Sequence, residues 1–109
     1  MVGDVMSKID ALMKTFDKRL MDTVSVIHSA FEEAPHVVAF VEVDKKLSTT
    51  AKLEKAFMLT NTINDAWWNN KEVTKMFGGD GCRSTSVGDM ILIDKEKYKC
   101  EKSGWELVK

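Results

Sequence analysis

Residues 36–44, HVVAFVEVD, constrain the fold of this chain more than any other segment. Val38, Phe40 and Glu42 alternate with Val37, Ala39, Val41 and Val43, and most of these side chains are β-branched or aromatic. A period of two with that composition specifies a half-buried strand. The chain must therefore build a sheet, and a sheet must bury its apolar face under a second layer. Three later runs supply partner strands: MILI after a turn at Gly88-Asp89, YKCE after the DKEK turn, and WELV after Ser103-Gly104. Short runs joined by such turns read as an antiparallel meander.

The covering layer is expected from helical stripes. Residues 4 to 22 carry Val5, Ile9, Leu12, Phe16 and Leu20 on one face, with Lys14, Asp17, Lys18 and Arg19 on the other. That spacing predicts an amphipathic helix, with Asp4 or Ser7 as its cap. Beyond Asp22 the pattern has two readings: Val24, Ile27 and Phe31 continue the stripe, while TVSVIHSA also reads as a strand with Val24 and Val26 on one face. Pro35 ends either element. Ser48, Thr49 and Thr50 mark the start of a second helix with the stripe Leu53, Phe57 beside Ala56, Thr60 and Ile63. KEVTKMF is a further short helical candidate, closed by Gly78 and Gly79. The sum is a single α+β domain over residues 1–109. An amphipathic helix at 1–22 would serve partner binding or dimerisation, and an α+β core at 37–109 would hold one or two central helices and a small antiparallel sheet with a C-terminal three-strand meander.

Composition limits the functional classes. A chain of 109 residues buries roughly two-thirds of the surface its unfolded form exposes, enough for a core without metal or disulfides. Sixteen Lys and Arg against seventeen Asp and Glu give a net charge of -1, which removes the argument from a strongly basic protein to nucleic acid. No apolar run has the length of a membrane span, and the charged start is unlike a signal peptide. A cytoplasmic protein with no membrane partner is expected, with Cys82 and Cys100 as free thiols.

The segments AFMLTNTINDAWWNN, CRSTSVGDMILI, KYKC and GWELV carry an F-x-L-T-N element, an R-S-x-S-V-G-D turn, a Tyr-containing strand and a final Gly-aromatic strand. The matching residues are Phe57, Leu59, Thr60, Asn61, Arg83, Ser84, Ser86, Val87, Gly88, Asp89, Tyr98, Gly104 and Trp105. Over about residues 55–108 the chain resembles small, mostly uncharacterised proteins of bacteriophages and mobile elements, and is similar to YodL-like modules in large polyvalent proteins. The resemblance implies a setting in a bacterial host cell and an α+β fold. It implies no catalytic residues.

Two clusters are candidate binding sites. In CRSTSVGD, Arg83, Ser84, Ser86 and Asp89 gather behind Gly78, Gly79 and Gly81. Such a loop holds a phosphate through backbone N–H groups and a guanidinium fork. It lacks the lysine and spacing of a P-loop, and the alternative is structural: Gly88 supplies a positive φ, Asp89 or Ser86 closes the turn, and Arg83 pairs with a carboxylate. In Trp67-Trp68-Asn69-Asn70, adjacent tryptophans cannot share one helix face. With Trp67 in the core, Trp68 either covers the sheet edge or offers a surface for a base or a protein partner. His28, His36, Cys82 and Cys100 match no zinc spacing, so neither a metal nor a cofactor is expected. A Cys82 or Ser84 nucleophile requires a histidine brought close by the fold.

Three functions follow in order. The first is a non-enzymatic phage or mobile-element accessory protein of the host-takeover or anti-defence type, binding a host or defence protein, with a homodimer through the N-terminal helix as a related outcome. The second is a nucleotide or single-stranded nucleic-acid binder using Trp67, Trp68, Arg83 and Ser84. The third is a small hydrolase or transferase with its nucleophile in the 80–86 loop.

Overall fold

The computed structural model describes residues 20–63 and 65–109. Six strands form one sheet: β1 (Met21–His28), β2 (His36–Asp44), β3 (Val73–Lys75), β4 (Met90–Ile93), β5 (Glu96–Glu101) and β6 (Gly104–Val108). One helix, α1 (Thr49–Leu59), and one 3-10 turn (Trp67–Asn69) complete the described elements. The strand order is β3-β2-β1-β4-β5-β6, and each neighbouring pair is antiparallel.

This corrects the expected α+β architecture. The molecule is mostly an antiparallel sheet, and the only helix among the described residues is α1. The helix expected at residues 4–22 lies outside the described residues except at its end, where Met21 and Asp22 are the first residues of β1. The ambiguous segment 23–28 is strand, because Val24 and Val26 take the core face and pair with Val41 and Ala39. KEVTKMF is not helical either. Its Val73, Thr74 and Lys75 pair with Val41, Phe40 and Ala39 at the sheet edge, and pairing to an existing strand outweighs a weak local i, i+4 pattern.

α1 begins where the hydroxyl of Ser48 accepts from the Ala51 N–H at 3.1 Å. It ends where the Thr60 hydroxyl turns back on the Ala56 carbonyl at 2.9 Å. Leu53, Ala56 and Leu59 are buried, whereas Ile63, placed on the same stripe by the sequence, lies past the helix and is 96% exposed. The helix residues meet Val24, Val26, Val41, Val43, Ile91 and Ile93 from the sheet. Burial of a side chain the size of Leu53 stabilises by roughly 1.5–3 kcal/mol.

Near its end the β1–β2 ladder slips. Val26 faces Ala39 but Ile27 faces Val37, so Val38 is the extra residue of a bulge and both Val38 and Ala39 are buried. A bulge re-aims the strand that follows it. Here the strands lead into the loop 29–35, which carries the site described next.

Candidate functional site

His28 ends β1 on the core face, fully buried, and its partner across the ladder is His36. Its Nε2 is 3.1 Å from the Thr85 hydroxyl and 3.8 Å from Asp89 Oδ2. Its Nδ1 is 3.7 Å from the Cys82 sulfur. The loop after the strand folds onto Asp89, which is itself fully buried. Oδ1 of Asp89 accepts from the Ser29 and Ala30 N–H groups, both at 2.9 Å, and Oδ2 accepts from the Ser86 N–H at 2.8 Å.

Arg83 closes this carboxylate as a fork, with Nη1 on Oδ2 at 2.7 Å and Nη2 on Oδ1 at 2.9 Å. The same Nη2 donates to the Ala30 carbonyl at 2.5 Å, and Nε lies 3.4 Å from Glu32 Oε1. One ion pair, between buried Asp89 and half-buried Arg83, therefore ties the loop after β1 to the segment before β4. Two further details hold the segment in place. Trp67 is in the core and shares its indole N–H between the Cys82 and Arg83 carbonyls, at 3.3 and 3.2 Å. Gly88 has φ +96, and a Cβ added there would stand 3.0 Å from the Ala30 Cβ, so both conformation and space require glycine.

The electrostatics follow from burial against these contacts. Burial pushes the Asp89 carboxyl up, but the Arg83 guanidinium and the Ser86, Ala30 and Ser29 amides together hold it below its ordinary value. Asp89 is thus a carboxylate with its lone pairs occupied. Arg83, hydrogen-bonded to Asp89, is raised and stays charged. Burial lowers the His28 imidazole, against an opposing pull from Asp89. Burial likewise raises the Cys82 thiol, against an opposing pull from Arg83.

The geometric condition for a nucleophile beside a base is met by Cys82 and His28, yet burial drives both toward their neutral forms. Burial of this kind disfavours a standing thiolate–imidazolium pair. Among the described residues, no group of three or more His, Cys, Asp or Glu is placed to hold a metal ion. Cys82 and Cys100 are both free.

Above this network stands Phe31. It is 87% exposed and has φ 63, a left-handed conformation that costs a non-glycine residue roughly 1–2 kcal/mol. Its ring lies 5.5 Å from the Arg83 guanidinium carbon. Glu32 bridges Arg83 and His36, whose Nε2 is 3.7 Å from Glu32 Oε2.

Of the residues singled out in the sequence, Arg83, Ser84, Ser86 and Asp89 do come together. They serve one another: the Ser84 carbonyl accepts from Arg83 Nη1 at 3.1 Å, and the Ser86 amide and Arg83 both serve Asp89. The guanidinium is engaged by carboxylates and carbonyls, which leaves the phosphate reading without its fork. Trp67 is buried, and Trp68 is half-buried with its ring 5.3 Å from that of Phe77 and 5.3 Å from that of Trp67. Asn69 is exposed and bonds to Asp65, while the Asn70 amide donates to the Leu59 carbonyl at 2.7 Å. The tetrapeptide packs the fold. The sequence reading places none of Ser29, Ala30 or Phe31 in a site, and it takes Glu32 as solvated charge, whereas Glu32 pairs with Arg83 and His36. The loop's only signal was the polar turn EEAP after an apolar aromatic residue.

Among the described residues no helix is long and apolar enough to cross a membrane. No protein-family model, no curated protein and no solved structure matches the chain.

Proposed function

We propose that the protein is a docking module without chemistry of its own, which grips a partner protein through the Phe31 loop. In the phage or mobile-element setting implied by the resemblance, that partner is a host or defence protein. The carrying observation is Phe31, an apolar ring held almost wholly in water in a strained backbone conformation. Strain of this kind persists only where the surroundings over-determine it. Here they do, through Asp89 and Arg83 gripping Ser29 and Ala30 immediately before it. An exposed aromatic on a backbone already held in place suits an interface anchor, because ordering that loop on binding loses little entropy.

The test is affinity purification of the tagged full-length protein from expressing bacterial cells, beside Phe31→Asp, with quantitative mass spectrometry. The reading expects a stoichiometric partner with the wild type that falls at least tenfold with Phe31→Asp, at an unchanged melting temperature. Equal recovery by both, or no stoichiometric partner with the wild type, refutes it.

A further inference from the structure

A second surface lies at the opposite end of the β1–β2 hairpin, some 25 Å from the Phe31 loop for an eight-residue strand. There Met21, Val43, Leu47, Phe57 and Met58 line a groove of about 1210 Å³. Leu47 and Met58 stand 36% and 53% exposed. The volume lies just above the roughly 300–1,000 Å³ of small-ligand pockets. A helix about 10 Å across fills it over roughly 15 Å, or about three turns.

The groove also carries charge. Glu42, Asp44, Glu54 and Glu72 line it against Lys55 and Lys71, four carboxylates to two ammonium groups, an excess of two negative charges among the described residues. An apolar floor with an acidic excess selects an apolar stripe flanked by cations. We propose that this groove docks an amphipathic helix with basic flanks from a partner protein. Its apolar side chains at i, i+3 or i+4, and i+7 settle against Leu47, Phe57 and Met58 while its lysines or arginines face Asp44 and Glu72.

The surface is independent of Phe31. Met58 is exposed on α1 and is not among the buried residues of the helix, so its replacement leaves the core intact. The chain's own first residues carry a similar stripe, Val5, Ile9, Leu12 and Phe16. They are the competing occupant that the experiment must separate.

The test uses the full-length protein and a fluorescein-labelled peptide of about fourteen leucines and lysines at amphipathic helical spacing, with its leucine–glutamate counterpart as control. Anisotropy should show saturable binding of the lysine peptide, about tenfold stronger than the glutamate peptide and weakened by added salt. Met58→Glu should weaken the lysine peptide at least tenfold with an unchanged thermal melt, whereas Phe31→Asp should leave it unaffected. Equal binding of the two peptides, or full binding by Met58→Glu, overturns the proposal. So does absence of peptide binding, and a carbodiimide cross-link between Lys8 or Lys14 and Glu54 or Glu72 within one chain would then give the groove to the chain's own residues.

Discussion

Replacing Asp89 by alanine removes the acceptor on which the loop and the segment before β4 converge. Three backbone N–H groups, those of Ser29, Ala30 and Ser86, lose their partner, and the two Nη atoms of Arg83 keep only the Ser84 and Ala30 carbonyls. An orphaned amide costs about 1 kcal/mol at the low end of its range, fitting for part-buried groups, so three contribute about 3 kcal/mol. The Arg83 side chain is 28% exposed and regains water, so its share is held to about 1 kcal/mol. The total is about 4 kcal/mol. For 109 residues at about 2.1 cal/mol/K each, 1 kcal/mol moves the melting midpoint by about 4 °C, so Asp89→Ala should melt about 17 °C lower. Asp89→Asn keeps an oxygen for Ser29 and Ala30 but turns an NH2 toward Arg83 and the Ser86 amide, and should lose about half as much. Thermal melts by circular dichroism, repeated in urea to fix the free-energy scale, read both values. A loss below about 1 kcal/mol for Asp89→Ala would refute the reasoning, since it would mean that none of the three amides depends on this carboxylate.

Three other outcomes follow from the same geometry. The His28 pKa is lowered on folding, so the unfolded chain binds the proton more readily; stability should be full above the ordinary histidine value and fall as pH drops below about 6.5. His28→Gln should flatten that part of the Tm-against-pH curve, and an unchanged curve would remove His28 as its source. Gly88→Ala should destabilise by about 2 kcal/mol, from its positive φ and the 3.0 Å approach to Ala30, as measured by urea unfolding; a neutral result would mean the turn relaxes freely. Cys82, with its thiol raised by burial, should react with iodoacetamide at pH 7 more slowly than free cysteine, and faster reaction would reinstate it as a nucleophile.

What the sequence disclosed depends on how local the cause is. The alternation in HVVAFVEVD and the turns before MILI, YKCE and WELV are local, and β2, β4, β5 and β6 occupy those runs. The β1 segment was ambiguous because Val24, Ile27 and Phe31 fit a helical stripe. The fold gives those three unlike surroundings, buried, half-buried and exposed, and sheet pairing on both sides fixes the strand. β3 was misread for the opposite reason: three residues carry almost no pattern of their own, and β2 imposes their conformation. The 83–89 cluster was visible, down to an arginine in need of a carboxylate. Its second half was not, because Ser29 and Ala30 reach Asp89 across 60 and 59 residues by backbone amides, which leave no trace in side-chain identity.

A buried carboxylate fixes the loop that presents Phe31. Amide hydrogen exchange at Ser29 and Ala30, followed by NMR in the full-length protein, tests it most directly. Both amides should be protected to a degree comparable with Val24 and Val26 in β1, and should lose that protection selectively in Asp89→Ala, which removes their shared acceptor. Exchange of both at the rate of an open loop in the wild type would contradict the account.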